Sequence, residues 1–501
     1  MLWPHYGFRG FSSIAKTRLA VRLSAMLVRH GLIYAAGRGL PGLINFASLA
    51  VFTRLLSPEQ FGEYTLVVTA VGTADALLLQ WLRLALLRFL PRADVDQTRT
   101  LSTIIRIMLT VVGVVGLVGA LVASLVIRDE TLEQLVYLGI ALFVVQGVFE
   151  VTLEWVRSSL APMRYGLYAG IKAVMTLLVG AGLAIAGWGA QGLLFGLIVS
   201  MSFALVVLGA PRAWAQAIRG PYDASLAGAI VRYGLPLATT ATLGFIVATS
   251  DRFMLAAFLD RGVAGTYAVG YDLANYGIGM LLSIVNLAAY PLVVTALENQ
   301  GAAAAKNELE KTLSLLLLFG LPAAVGMAVL APNIAAVMVG QDFRTATEAV
   351  LPWIALAALI AGVKSYYLDL AFQLGHDTIK QLWIMLVTVV LNVVLNVLWI
   401  PVLGLQGAIY STVLAYGVAA LMAWWFGRSS FKLPFRTRFI SRSIGSIVLA
   451  SVAMAGALYL TRRWVGGPEL VVQVLIGGLV YVVVVIAMNR THVLALLRRK
   501  A

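Results

Sequence analysis

The side chains of this chain that are able to do chemistry are charged residues set inside long apolar stretches. In "SDRFMLAAFLDRGVAGTYAVGYDLA", residues 250 to 274, Asp251, Arg252 and Asp272 interrupt runs of apolar residues. A charge in the hydrocarbon core of a membrane costs about 3 kcal/mol on insertion scales, so each should face a partner or a watery cavity. The other charged residues deep in apolar stretches are Arg38, Asp75, Glu150, Lys172, Lys364 and Asp369.

The basic members of this set predict a binding site for an anionic head group. None of Arg38, Arg252 and Lys364 has a residue of opposite charge three or four positions away. A guanidinium group binds phosphate through two parallel hydrogen bonds, and loss of water strengthens the attraction. Lys172 is a fourth candidate for the same cavity. The alternative is pairing across helices, which stays open at this stage. The acids available for it are Asp75, Asp251, Asp272 and Asp369.

The same four acids are candidates for gating or for binding a coupling cation or proton, because carboxylates near the middle of a membrane often serve transport. Glu150 descends to the depth of Lys172 in the adjacent, antiparallel span, so we expect a structural ion pair between them. Asp260 and Arg261 lie in a very short turn between two spans. We expect these two residues to be ordinary solvated loop charges.

The composition is that of an integral membrane protein. Of 501 residues, 61% are hydrophobic and 12% are charged, and the mean hydropathy is +0.92. The chain has no cysteine and its four histidines lie far apart, so we expect no metal site and no cofactor. The net charge of +15 is scattered along the chain, which argues against a nucleic-acid partner. Neither a phosphate-binding GxxxxGKS/T loop nor a long acidic extramembrane loop occurs, so we expect no enzymatic activity.

Fourteen apolar stretches are predicted to cross the membrane as helices. They begin near residues 30, 64, 103, 134, 164, 190, 228, 264, 311, 348, 380, 404, 440 and 468. Lys and Arg cluster before span 1, after spans 2, 6 and 12 and in the tail, which predicts that both termini are cytoplasmic. The predicted units are a basic cytoplasmic amphipathic N-terminus (1–29), two six-span lobes (30–211 and 228–427), two extra spans (438–488) and a basic cytoplasmic tail (489–501).

An internal repeat relates the two predicted lobes. The segment "LLSPEQFGEYTLV" (55–67) parallels "FLDRGVAGTYAVG" (258–270), which sets Gly62 and Tyr64 against Gly265 and Tyr267. The tripeptide "GLP" at 39–41 recurs at 234–236, and "QG" at 191–192 recurs at 406–407. Six spans per repeat preserve orientation, so we expect a pseudo-twofold axis along the membrane normal and a cleft between the lobes.

Several stretches together resemble the polysaccharide-transport family. They are "TRLLSPEQFGEYTLV", "SDRFMLAAFLDRGVAGTYAVGYDLA", "LFGLPAAVGMAVLAPNIAAVMVGQDF" and "GLQGAIYST", and the resemblance covers about residues 30 to 490. This family comprises the Wzx-type O-antigen and capsule oligosaccharide flippases of the multidrug/oligosaccharidyl-lipid/polysaccharide exporter (MOP) superfamily. The resemblance implies an all-α integral membrane protein of about fourteen transmembrane helices. Two six-helix lobes in pseudo-twofold parallel repeat would be arranged as in multidrug and toxin extrusion (MATE) transporters, with two C-terminal helices outside the repeat.

The function that the resemblance implies is a flippase of the bacterial inner membrane for lipopolysaccharide or other surface polysaccharide biosynthesis. It would move a polyprenyl-pyrophosphate-linked oligosaccharide from the cytoplasmic to the periplasmic leaflet by alternating access. A cationic central cavity would receive the pyrophosphate, and the candidates by position are Arg38, Arg252 and Lys364. Besides the lipid bilayer, the expected partners are a polysaccharide polymerase and glycosyltransferases.

Two alternative functions stay open. The first is an ion-coupled drug or cation antiporter of the same superfamily, which would need acidic, aromatic pockets. Span 1 contains Arg38 and Asn45 and no acid, which favours an anionic substrate. The second is a non-transporting scaffold of a glycan-assembly complex, for which charges in the cleft would not matter.

Overall fold

The computed structural model describes residues 41–91, 96–434 and 438–488, which fold almost entirely into helices. The helices of the first half are α1 (41–55 in the described part), α2 (Pro58–Leu78), α3 (Gln80–Phe89), α4 (Gln97–Val126), α5 (Glu130–Ser158), α6 (Pro162–Ile185), α7 (Gly189–Val207) and α8 (Ala210–Ala217). Those of the second half are α9 (Ala224–Phe258), α10 (Arg261–Ala274), α11 (Met280–Gln300), α12 (Ala302–Val329), α13 (Ala331–Met338), α14 (Arg344–Val363), α15 (Leu370–Leu374), α16 (Thr378–Leu403) and α17 (Leu405–Ser430). The last two helices are α18 (Arg438–Thr461) and α19 (Gly467–Met488).

Most of these helices are membrane spans. Twelve in the described ranges are long and apolar enough to cross a membrane, and the pair α2 and α3, bent by 46°, makes a thirteenth. α1 precedes them. Two spans are composite, because π turns at Asn275–Gly279 and Lys364–Leu368 join α10 to α11 and α14 to α15. The all-helical, multi-pass architecture predicted from the sequence is confirmed.

Short polar residues begin the helices at the membrane surfaces. Ser57 and Gln60 form a capping box at α2, and Pro58 occupies its first turn, where a missing N–H costs nothing. Aspartates accept backbone N–H groups in the first turns of four other helices. The caps of α4, α5, α9 and α10 are Asp96, Asp129, Asp223 and Asp260. Asp260 is therefore an exposed helix cap, which is a more specific role than the loop charge expected from the sequence.

The helices pack into two lobes, each around an apolar core, and the core of the second lobe also takes in residues of the first lobe where the two meet. In the first lobe, α2, α4, α5, α6 and α7 pack around residues such as Leu82 and Leu142. In the second, α10, α12, α14, α16 and α17 surround residues such as Leu351. α18 packs on α12, and Asn333 Nδ2 beside α19 donates to Gln473 Oε1 at 2.6 Å. The last two helices therefore attach to the second lobe.

The two lobes meet tightly where α2 and α10 begin, in a contact termed the seal (Thr53, Gly62, Glu63, Arg261, Gly265 and Gly340). A Cβ on Gly62 would lie 1.9 Å from the carbonyl oxygen of Arg261, and one on Gly265 would lie 2.4 Å from that of Pro58. Only glycine allows this approach at both positions. These two glycines are the ones that the internal repeat sets against each other, and they meet face to face between the lobes.

Polar contacts reinforce the seal. Arg261 Nη1 lies 2.9 Å from Glu63 Oε1 on the opposite lobe, and the backbone N–H of Gly340 donates to Thr53 Oγ1 at 3.1 Å. The expectation that Arg261 is only a solvated loop charge is therefore corrected, because its short loop brings it against α2. Toward the other end of the bundle, α9 leans on the first lobe, where a Cβ on Gly234 would lie 2.4 Å from the Trp81 carbonyl oxygen.

Candidate functional site

A cavity of about 680 Å³ lies between the two lobes and reaches Phe52 and Phe61, next to the seal. α1, α2, α5, α6 and α7 line one side, and α9, α10 and the first π turn line the other. The charged residues among its described lining are Glu150, Lys172, Arg252 and Asp272. Two are basic and two are acidic, so this part of the wall is not net cationic, in contrast to the cavity that the resemblance implies.

Arg252 lines the cavity and pairs with an acid on the next helix. Its Nη2 lies 2.5 Å from Asp272 Oδ1, and its Nη1 lies 3.5 Å from Thr69 Oγ1. The guanidinium carbon is 5.6 Å from the ring centroid of Tyr271. Pairing across helices, one of the two alternatives left open by the sequence, therefore occurs at Arg252. Its Nε is buried and has no hydrogen-bond partner in the described residues.

Lys172 and Glu150 face the same cavity but do not form the predicted ion pair. No ion pair within the described ranges involves either residue. Instead, Lys172 Nζ lies 5.2 Å from the ring centroid of Phe149, the residue before Glu150. This cation–π contact holds the ammonium group without a carboxylate. Both charges are thus left to interact with whatever occupies the cavity.

Lys364 and Asp369 form a buried ion pair inside the second lobe, which corrects the placement of Lys364 in the pyrophosphate site. Their charged atoms are 3.0 Å apart, and the side chains are 5% and 3% exposed. Neither residue lines the central cavity. The pairing depends on the π turn at 364–368, whose wider winding brings residues five apart onto one side of the helix. Gln381 Nε2 donates to the same carboxylate at 3.2 Å.

Asp75 is also paired, with an arginine that the sequence analysis did not single out. The two Nη atoms of Arg83 lie 2.8 Å from the two oxygens of Asp75, and Gln80 Oε1 accepts a further bond. Both charged side chains are nearly buried. The pair spans the break between α2 and α3, which are bent by 46°, so helical spacing in the sequence did not indicate it. Asp75 therefore has a structural partner and lies outside the cavity lining.

Asp251 occupies a polar pocket between α9, α10, α16 and α17. It is fully buried and accepts hydrogen bonds from Tyr267 Oη at 2.7 Å, Asn396 Nδ2 at 2.5 Å and Thr412 Oγ1 at 2.6 Å. Asn392, one turn before Asn396, is also buried in this pocket and accepts a bond from Asn396 Nδ2. No ion pair in the described chain involves Asp251.

Asp251 does not face the central cavity. It lies inside the second lobe, whereas its neighbour Arg252 points into the cavity. Sequence reasoning missed its partners Asn392, Asn396 and Thr412. The signal for two of them was present, since "LNVVLN" places two amides four residues apart on an otherwise apolar helix. The remaining candidate, Arg38, lies outside the described residues.

Two smaller cavities continue the central one along α11. The first, of about 310 Å³, shares Asn275 and Tyr276 with the central cavity and reaches Ile284 and Leu287. The second, also of about 310 Å³, begins at Ile284 and is lined mainly by apolar side chains of α11 and α12. Ile284 and Leu287 are 44% and 50% exposed. The path therefore leads from a central cavity with charged wall residues to the apolar outer surface of the bundle.

Solved structures with the same fold are membrane transporters. The lipid II flippase MurJ in an inward closed conformation has a TM-score of 0.71 at 13% identity, covering 92% of this chain and 100% of that one. An inward-facing multidrug resistance MATE family transporter of the MOP superfamily has a TM-score of 0.62 at 15% identity, covering 78% and 94%. An outward-facing MATE family transporter has a TM-score of 0.55 at 14% identity, covering 80% and 94%. The MATE-like fold predicted from the sequence is confirmed.

Sequence comparison gives a family assignment of its own. No curated protein matches the chain. The sequence profile of a family described as "Polysaccharide biosynthesis protein" matches residues 51–348, more than half of the chain. The resemblance to polysaccharide-transport proteins is confirmed by this match together with the fold. The chain belongs to the polysaccharide biosynthesis protein family.

Proposed function

We propose that this protein is a flippase that carries a polyprenyl-pyrophosphate-linked oligosaccharide from the cytoplasmic to the periplasmic leaflet of the bacterial inner membrane. The observation that supports this most is a cavity with four charged residues in its wall, which lies next to the seal and continues along α11 to the apolar outer surface. That shape suits a ligand with a polar head and a long apolar tail. A lipid-linked oligosaccharide is such a ligand, and the family assignment favours it.

Arg252 and Lys172 are the residues that we propose to bind the pyrophosphate. Both line the central cavity. Asp272 holds the Arg252 guanidinium group at the cavity wall, and Lys172 has no carboxylate partner in the described chain. Phosphate oxygens accept charge-assisted hydrogen bonds from such groups, and the partial exclusion of water strengthens them.

The tail would leave the cavity along α11. From Asn275 onward the lining changes from polar residues to Ile284, Leu287 and Leu292, which lie on the outer surface. Keeping the tail in this groove avoids exposing it to water during transport. The head group alone would then cross the bundle.

Alternating access requires the seal to open while the opposite end closes. The positive-inside pattern favours a periplasmic position for the seal, which would make this a conformation closed toward the periplasm. Rocking of the two lobes that separates the glycine contact would expose the head group outside. The energy source we propose is a cation gradient or the membrane potential, which supplies about 2.3 kcal/mol per charge for each 100 mV.

Asp251 is the residue that we propose to bind the coupling ion or proton. It is buried among neutral oxygen and nitrogen groups of Tyr267, Asn396 and Thr412, from three different helices. Binding a cation or proton there would neutralise the carboxylate and change how those helices are held together. Such a change would trigger the rearrangement because α9 contacts both lobes.

A second candidate function, the drug or cation antiporter, is favoured by one observation. Glu150 and Asp272 give the central cavity as many described acids as bases, and acids beside aromatic rings bind organic cations. The flippase stays the better proposal because Asp272 is occupied by Arg252.

The test uses a host that lacks the gene and measures lipid-linked oligosaccharide in its membranes. We expect intermediates to accumulate on the cytoplasmic side in the deletion strain and in strains carrying Arg252→Ala or Lys172→Ala. The exposed Arg462, stacked on Tyr459, serves as a matched control, so Arg462→Ala should behave as wild type. Sensitivity to cationic dyes without accumulation would instead support the antiporter. Unchanged export by both cavity variants, at normal expression, would support a scaffold.

A further inference from the structure

Glu150 is a charged residue of the cavity wall without a partner in the part of the chain that the structure describes. It is half-buried on α5 and forms neither the expected pair with Lys172 nor a side-chain hydrogen bond. Arg83, whose electrostatic field reaches it, uses both Nη atoms for Asp75. An unpaired carboxylate within a helical bundle is unfavourable unless it meets water or a ligand. Its place on the cavity wall therefore points to a ligand.

The next acid on the same helix shows the contrast. Glu154 lies one turn further along α5 and pairs with Arg157 at 3.2 Å, as the sequence spacing predicts. Gln146 lies one turn before Glu150 on the same face and lines the same cavity. The helix therefore presents one amide and one unpaired carboxylate to the cavity, followed by an acid that is already neutralised.

We propose that Glu150 and Gln146 form a sugar subsite that binds hydroxyl or amino groups of the transported glycan and excludes sugars carrying a carboxylate. The inference rests on the proposed function, because it assigns the glycan to this wall and the pyrophosphate to Arg252 and Lys172. An ionised carboxylate only accepts hydrogen bonds, so it matches the hydroxyl and ammonium donors of sugars. Its charge makes those bonds strong. An acidic sugar at the same place would bring like charges together in a medium of low dielectric constant.

The experiment measures binding by calorimetry to the full chain in lipid nanodiscs. One probe is the oligosaccharide released by mild acid from the lipid carrier of the host, and the other is inorganic pyrophosphate. We expect Glu150→Gln to weaken oligosaccharide binding by about tenfold, because a charge-assisted acceptor is lost. Pyrophosphate binding should be unchanged or slightly tighter, since one negative charge has left the cavity. Glu154→Gln, the matched control, should change neither.

The outcomes separate this inference from the proposed function. Oligosaccharide binding by Glu150→Gln that equals wild type, with pyrophosphate binding intact, would overturn the sugar subsite alone. If the wild-type chain binds neither the oligosaccharide nor pyrophosphate, the proposed function is overturned and the subsite with it. If Glu150→Gln does not fold, Gln146→Ala replaces it, with an expected loss of about fivefold for one neutral hydrogen bond. Unchanged binding by that variant would equally overturn the subsite.

Charge exclusion has a separate readout. A trimer of galacturonic acid should compete with the host oligosaccharide more effectively on Glu150→Gln than on the wild-type chain, because the repulsion between carboxylates is removed. A residue with only a structural role would not change this preference. Equal competition on the two proteins would overturn the exclusion of acidic sugars.

Discussion

Replacing Gly62 by alanine tests whether the seal controls opening of the cavity. The added Cβ would lie 1.9 Å from the carbonyl oxygen of Arg261, against 3.4 Å or more in ordinary contact, so α2 and α10 must separate by about 1.5 Å. Overpacking of this kind costs about 1–3 kcal/mol. Only the sealed conformation bears the cost, because the helices part when this end opens. The equilibrium should therefore shift toward the conformation open at the seal by about 5- to 150-fold.

Labelling of a single cysteine measures this shift, since the chain has no cysteine of its own. Val68→Cys places a thiol on the cavity wall, and a membrane-impermeant maleimide added outside the cell should label it faster when Gly62 is alanine. Gly182→Ala is the matched control, because a Cβ there meets nothing within 4 Å. Equal labelling in the Gly62→Ala and Gly182→Ala proteins, with both folded, would refute the role of the seal.

Three further predictions concern the buried charges and one helix cap. Asp251→Asn should lower the rate of gradient-driven translocation of the lipid-linked oligosaccharide in proteoliposomes by about tenfold or more, because the ionic acceptor for the coupling ion is lost. A translocation rate that still rises with the cation gradient as in wild type would exclude Asp251 as the coupling residue. Lys364→Met should destabilise the protein by about 3 kcal/mol by leaving Asp369 unpaired, and adding Asp369→Leu should restore most of the loss in thermal unfolding; additive losses would contradict this. A hydrogen bond from Lys380 lowers the pKa of Asp377, so this carboxylate stabilises the fold above its unfolded pKa near 3.9, and that contribution is lost as the pH falls through the lower folded pKa. Asp377→Asn should therefore flatten the dependence of the melting temperature on pH between about pH 5 and pH 2, and an unaltered slope would argue against it.

Much of the fold could be predicted because the bilayer imposes a simple rule on the sequence. Long apolar stretches must form helices to satisfy their backbone, so hydropathy alone located the spans. The repeat paired Gly62 with Gly265, and the structure places these residues in contact between the lobes. The residues at which helices begin were harder to predict, since a capping residue such as Asp96 starts a helix several residues before its apolar part. α12 begins at Ala302, although its apolar stretch begins near 311.

The charged residues show where prediction from the sequence ended. The ion pair of Glu154 with Arg157 follows from the sequence alone, because partners three residues apart lie on one helix face. The pair of Lys364 with Asp369 was missed because a π turn changes the helical period locally. The expected pair of Glu150 with Lys172 failed because an aromatic ring holds the ammonium group.

The sequence by itself determined that the protein is a helical membrane protein of two repeated lobes, and which charges lie deep within it. Depth along a helix follows from counting residues, since each adds a fixed rise. Only the tertiary structure decided which of those charges face the cavity and which face each other. The adjacent residues Asp251 and Arg252 illustrate the reason, because a rotation of about 100° per residue sends one into the second lobe and the other into the cavity. Which neighbour each then meets depends on how the helices pack, and local spacing does not encode that.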